Sequence, residues 1–167
     1  SDLFTLLEQP GQPHVPAISQ AINVALSSLP ASEQIELVTN RMNRSANKHL
    51  YYSALANSGS QEALESITEA YNSATGAEKE AAFEALAGWE SFNVIYPLLD
   101  IARASNDNKE LEKITSALIS VIRGSSETGA IKYLYARETM QFAQTDRQKN
   151  DLIRLIGTTG QYPGMLF

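Results

Sequence analysis

The amino-acid sequence predicts an all-α protein, a right-handed α-solenoid of about four helical hairpins with an N-terminal helix. Two observations carry this expectation and a third removes its main competitor. The words Ala54-Leu55-Ala56 and Ala85-Leu86-Ala87 recur about thirty residues apart. Each closes an amphipathic helix and is followed by a small-residue turn and a fresh helix, and self-similarity at roughly 20–50 residues marks stacked units that cannot bury their apolar faces alone. From Ala17 almost to the end, apolar residues recur at spacings of three and four, the helical period. Alternation at period two, the mark of a half-buried strand, is absent.

Residues 1–16 read as an N-terminal arm or linker. Leu3, Phe4, Leu6 and Leu7 suggest a turn or two of helix, and Pro10, Gly11, Pro13 and Pro16 then block continuation. The solenoid is expected over 17–167. Its N-terminal helix, 17–29, carries Ile18, Ala21, Ile22, Ala25 and Leu29 on one face and ends at Pro30. Ser32 is placed to cap a helix over 33–44 with a stripe of Ile35, Val38, Thr39 and Met42. A helix over 46–57 buries Leu50, Tyr51, Ala54 and Leu55, and Ser60 caps the next, over 61–74, with Leu64, Ile67, Thr68 and Tyr71.

Thr75 and Glu78 have the spacing of a capping box, in which two side chains satisfy each other's orphan backbone donors. The helix they open, 76–88, buries Ala82, Ala85, Leu86 and Trp89. The next, 94–104, tolerates Pro97 in its first turn. Asp107 and Glu110 open 108–123, which carries Leu111, Ile114, Leu118, Ile119, Val121 and Ile122. A helix over 128–143 holds Ile131, Leu134, Tyr135 and Phe142, and the box Thr145–Gln148 opens 146–157 with Leu152, Leu155 and Ile156. Short connections pair these as 33–44 with 46–57, 61–74 with 76–88, 94–104 with 108–123, and 128–143 with 146–157. Tyr162, Met165, Leu166 and Phe167 look like the apolar start of a further helix, so the solenoid reads as truncated at its C-terminal end.

Composition bounds the chemistry. At 167 residues, 43% of them hydrophobic, the chain can bury a core without a covalent staple. It has no cysteine, which excludes disulfides and thiolate metal sites. No run approaches the roughly 18 apolar residues of a membrane-spanning helix. The net charge of −6, with 19 acids against 13 bases, argues against a nucleic-acid partner despite the local cluster Arg41, Arg44 and Lys48. His14 and His49 stand apart from any ligand cluster, so no metal or other cofactor is expected. Glu62, Glu65 and Glu69 read as a solvated helix face.

Two residues leave alternatives open. Glu138 falls between Ile131, Leu134, Tyr135 and Phe142, where a desolvated carboxylate becomes a general acid. The other reading is a kinked helix, or a pairing of Glu138 with a base such as Arg137 or Arg154. Trp89 is either an exposed platform for a sugar or partner, or a plug between hairpins.

Certain words point to a family. The run from Leu50 to Gly59, the run from Ala81 to Trp89 and the continuation Tyr96-Pro97-Leu98-Leu99-Asp100-Ile101-Ala102 resemble HEAT-like repeats of secreted bacterial proteins. In those proteins the repeats accompany a β-sandwich domain of the 3-keto-disaccharide hydrolase type. The resemblance covers about residues 17–165 and includes none of the sandwich domain. It implies a non-catalytic scaffold or interaction module, accessory to a carbohydrate-processing domain outside this chain and located in the periplasm or at the cell surface. It also implies a protein or glycan partner on the polar faces of the second helices, which carry Lys48, Tyr52, Glu80, Glu84, Lys113, Ser116 and Ser120, with Trp89 at one helix end. The regular Asp and Arg of many HEAT repeats are missing here. The rival expectation is a glycoside-type hydrolase with its site on the solenoid surface, using Glu138 and a second acid.

Overall fold

The computed structural model describes residues 2–159, and among these the chain is helical with no strand. It divides into two compact units, residues 1–89 and 90–167. The further helix expected from Tyr162, Met165, Leu166 and Phe167 lies outside the described residues.

The first unit contains α1 (Leu3–Leu7), α2 (Val15–Leu26), α3 (Ala31–Arg44), a 3-10 turn (Lys48–Tyr51) leading into α4 (Tyr52–Ala56), α5 (Gln61–Ser73) and α6 (Gly76–Ala87). The short α1 is anchored firmly. Asp2 accepts from the Phe4 amide at 3.3 Å and also pairs with Arg41. Phe4 and Leu7 are buried, and the Phe4 ring stacks on Tyr51 with centroids 5.7 Å apart while the Arg41 guanidinium lies over it at 5.5 Å. The Tyr51 hydroxyl donates to Glu8 at 2.7 Å, closing the contact from the other side.

Several local expectations need correction here. Ser32 lies inside α3, because the helix starts two residues earlier, at Ala31 behind Pro30. Ala21 and Ala25 are exposed and the buried pair on α2 is Ile22 with Leu26, the larger side chains taking the core. The helix expected over 46–57 is a 3-10 turn followed by one and a half turns of α-helix, and it buries Tyr52 beside Tyr51, Ala54 and Leu55. The capping box expected at Thr75 and Glu78 does not form. Thr75 makes no side-chain cap, and Glu78 accepts instead from the buried Tyr52 hydroxyl at 2.8 Å, a tertiary bond that displaces the local one. Gly76 takes φ +60° at this entry, a conformation that a side chain would strain. Ser60 does cap α5, accepting from the Ala63 amide at 3.1 Å.

The paired tyrosines give a pH prediction. Burial first, and then the Glu8 and Glu78 carboxylates, push the Tyr51 and Tyr52 hydroxyls above their usual range. A folded-state pKa above the unfolded value of about 10 favours the protonated form, so this stabilisation is complete below pH 10 and is lost as pH rises further. Spectrophotometric titration should show at least two of the seven tyrosines, Tyr51 and Tyr52 among them, ionising only together with alkaline unfolding. Tyr52→Phe should remove one of them; ionisation of all seven in the folded protein would contradict the pairing.

The second unit contains a 3-10 turn (Phe92–Val94) leading into α7 (Ile95–Ala104), α8 (Asn108–Gly124), α9 (Gly129–Thr139), a 3-10 turn (Met140–Phe142) and α10 (Asp146–Thr159). Asp107 caps α8, accepting from the Lys109 and Glu110 amides at 2.8 and 2.9 Å. Thr145 and Gln148 form the expected reciprocal box: the Gln148 amide donates to Thr145 Oγ1 at 3.2 Å and the Thr145 amide to Gln148 Oε1 at 3.3 Å. α7 packs on α8 and α9 on α10. Gly129 lies so close to Thr159 that an added Cβ would meet its carbonyl oxygen at 3.2 Å, which sets the start of α9 against the end of α10 as an antiparallel pair.

Cross-contacts then fix how these two hairpins relate. Tyr96 meets Tyr135 and Arg103 meets Glu138, so α7 and α9 run the same way. Ser116 meets Gln148 and Arg123 meets Asp151, so α8 and α10 do too. Each of these helices thus runs parallel to the one two places along the chain. Ile114, Leu118 and Ile122 form the buried stripe of α8 between them.

Candidate functional site

A half-open cleft of about 280 Å³ lies between α8 and α10 in the second unit. On α8 the apolar stripe occupies one side, and Glu112, Ser116, Ser120 and Arg123 recur on the other at spacings of four, four and three. α10 supplies Arg147, Gln148 and Asp151 from its first two turns, with Thr145 at its cap and Ile119 beneath.

Gln148 makes the floor. It is buried, with 4% of its surface exposed, and every polar atom of its amide is used. Oε1 accepts from the Gln144 amide at 3.0 Å as well as from Thr145, and Nε2 donates to the Glu112 carbonyl at 2.6 Å and to Ser116 Oγ at 2.9 Å. Ser116 in turn donates to the same carbonyl at 2.9 Å. One side chain thus caps α10 and ties it to α8, and the cleft above is held rigid. At the rim, Arg123 pairs with Asp151 at 3.3 Å. Arg147 is exposed and makes no hydrogen bond or ion pair with another side chain among the described residues. The lining therefore offers two guanidiniums, two carboxylates and several hydroxyls, balanced in charge. Such a surface hydrogen-bonds a polar partner without drawing strongly on either sign of charge.

The residues expected on the second-helix face separate on this structure. Ser116 and Ser120 line the cleft, and Lys113 is exposed on α8 beside it. Lys48, Glu80 and Glu84 are exposed in the first unit, on its 3-10 turn and α6. Tyr52 and Trp89 are not on that surface. They are 3% and 5% exposed, Tyr52 because its hydroxyl reaches inward to Glu78 and Trp89 because it packs at the end of α6. Glu62, Glu65 and Glu69 are exposed, as expected of a solvated face.

Glu138 is half-buried and pairs with Arg103 of α7, not with Arg137 or Arg154 of its neighbourhood. Arg103 donates to Asp100 as well, at 2.7 Å. The buried face of α9 is made by Ala136 and Thr139, while Leu134 is 58% exposed, so Ile131, Leu134, Tyr135 and Glu138 form a stripe turned towards α7 and solvent. Among the described residues no three His, Cys, Asp or Glu side chains are grouped to hold a metal ion, and no helix is long and apolar enough to cross a membrane.

No family model, curated protein or solved structure matches this chain. The cleft must therefore be read from its own residues. Its α10 half was not among the residues singled out from sequence, where Thr145 and Gln148 figured only as a helix start. The signal that was available is the polar repeat Glu112, Ser116, Ser120, Arg123 opposite the α8 core stripe.

Proposed function

We propose that this chain is a non-catalytic interaction module of HEAT type, a right-handed α-solenoid that presents second-helix residues to a protein or glycan partner. The observation that carries the reading is the α8–α10 cleft, open to solvent and built on a rigid, fully hydrogen-bonded floor. Its size suits one or two side chains or a single sugar ring, since pockets for larger ligands run to roughly 300–1,000 Å³. The parallel runs of α7 with α9 and α8 with α10 support the repeat architecture. On the resemblance of its repeat words, the module serves a carbohydrate-processing domain outside this chain and works in the periplasm or at the cell surface.

The test is a screen of the purified chain on a glycan array and a displayed peptide library, with hits measured by calorimetry. Ser120→Trp fills the cleft from an exposed position and should weaken a genuine ligand at least tenfold, while Glu65→Ala leaves it unchanged. Hits that ignore Ser120→Trp would remove the cleft from the reading. Turnover of an aryl glycoside by the chain would replace it with the hydrolase reading.

A further inference from the structure

In the first unit, α1 lies in a groove formed by α3 and the 3-10 turn before α4. Asp2 pairs with Arg41, whose guanidinium also covers the Phe4 ring. The opposite face of the groove is Tyr51, stacked on Phe4 with the ring planes 12° apart and bonded through its hydroxyl to Glu8 at 2.7 Å. Leu7 is 1% exposed. Among the described residues, the hydrogen bonds and ion pairs that join residues 2–8 to α3 and the 3-10 turn are all made by side chains. A helix of five residues does not keep its shape alone in water, so the groove gives α1 its form.

The link from α1 to α2 works as a tether. Pro10, Gly11 and Pro13 are exposed, and the hydrogen bonds of residues 9–14 stay within residues 6–18. Asp2 and Arg41 are themselves 40% and 43% exposed, and a solvated ion pair guides a contact more than it clamps one. The groove also offers more than α1 takes. Arg44 stands one turn beyond Arg41, and Lys48 opens the 3-10 turn; both are exposed and neither has an ion-pair partner among the described residues. Leu37, one turn before Arg41 on the same stripe of α3, is 38% exposed. Three cations beside an aromatic floor and an open leucine, in a chain of net charge −6, are complementary to an acidic amphipathic helix.

We propose that this groove docks an acidic helical segment of a partner protein, and that α1 is its tethered occupant in the free chain. α1 itself displays the pattern that the groove reads: an acid at Asp2, an aromatic ring two residues on at Phe4, a leucine three further at Leu7, and a second acid at Glu8. A partner segment with the same pattern, further acids for Arg44 and Lys48 and an apolar residue for Leu37 makes every contact of α1 and more. It therefore displaces α1 instead of adding to it. The groove lies in the first unit and shares no residue with the α8–α10 cleft, so either surface can stand without the other.

The probe is a fluorescein-labelled peptide of residues 1–9, added in trans to the intact chain and followed by anisotropy. Tethering holds α1 at an effective concentration on the order of millimolar, so the wild-type chain should take up the peptide weakly. Phe4→Ala in the chain loosens the tethered arm and leaves the groove whole; it should bind the peptide about tenfold tighter than wild type does. Should Phe4→Ala fail to fold by circular dichroism, Asp2→Lys, at an exposed position, loosens the arm by repulsion from Arg41 and serves in its place. A peptide carrying Phe4→Ala should not bind, and Arg41→Glu added to the Phe4→Ala chain should abolish uptake. Two glutamates appended to the peptide after Gln9 should tighten it several-fold, a gain that Lys48→Ala removes. Equal uptake by wild type and loosened chains, no uptake by either, or weaker binding of the more acidic peptide would each overturn the proposal. A wild-type dimer in light scattering that Arg41→Glu dissolves would give the groove to α1 of a second copy and overturn it too.

Discussion

Leu118→Ala is expected to destabilise the protein by about 2–5 kcal/mol, the range for truncating a fully buried aliphatic side chain. Leu118 has no exposed surface and sits at the middle of the α8 stripe, between Ile114 and Ile122, which are equally buried. α8 packs on α7, α9 and α10, so a cavity there lies where both hairpins meet and cannot be filled by movement of one of them alone. Leu86→Ala in α6 is fully buried by the same measure and should cost a similar amount in the first unit. Glu65→Ala, on the exposed side of α5, should change stability by about 0.5 kcal/mol or less. Urea titrations of the three variants check this. Because the chain forms two compact units, the Leu118 and Leu86 variants should shift the unfolding of different parts of the chain if those parts unfold separately. Equal effects of Leu118→Ala and Glu65→Ala would mean that the face assignment is wrong.

Helix existence was legible in the sequence because it depends on local signals that agree with one another. Ser60, Asp107 and the Thr145–Gln148 pair all cap where the spacing places them, and the stripe Ile114–Leu118–Ile122 is buried as read. Ser32 fails as a cap because the helix starts earlier, behind Pro30, but other misses come from a tertiary contact overriding a local preference. Glu78 leaves Thr75 for the Tyr52 hydroxyl, 26 residues away, because a buried hydroxyl without a partner costs more than an uncapped helix end that water can solvate. On α9, periodicity favoured the large residues Ile131, Leu134 and Tyr135, yet Ala136 and Thr139 face the core. Small side chains let α9 approach its neighbours closely, and a hydrophobic pattern cannot distinguish a close-packed small face from a large one turned elsewhere. The partner of Glu138 was unreadable for the same reason, since Arg103 lies 35 residues away on a helix that only stacking brings alongside. Half of the cleft was legible as Ser116 and Ser120, and the other half required knowing that α10 runs beside α8.

Gln148→Ala should cost about 2–4 kcal/mol, unusually large for a polar residue, because one amide makes four hydrogen bonds in two roles. Its loss removes the acceptor for the Gln144 and Thr145 amides and the donor to the Glu112 carbonyl and Ser116, all in a position 4% exposed to solvent. Gln148→Glu separates these roles. The carboxylate still accepts from both amides, as the glutamate of a capping box does, and it adds a favourable charge at a helix start. Where Nε2 donated, however, an oxygen now faces the Glu112 carbonyl, and that repulsion bears on the contact between α8 and α10 alone. Thermal unfolding should therefore rank wild type above both variants, while hydrogen exchange distinguishes the variants from each other. In Gln148→Ala the amides at the start of α10 lose protection together with the α8 contact. In Gln148→Glu the Gln144 and Thr145 amides remain protected and the loss appears where α10 meets α8. If Gln148→Ala leaves stability unchanged, the floor of the cleft is not held as the geometry indicates, and the rigid site that the interaction reading requires does not exist.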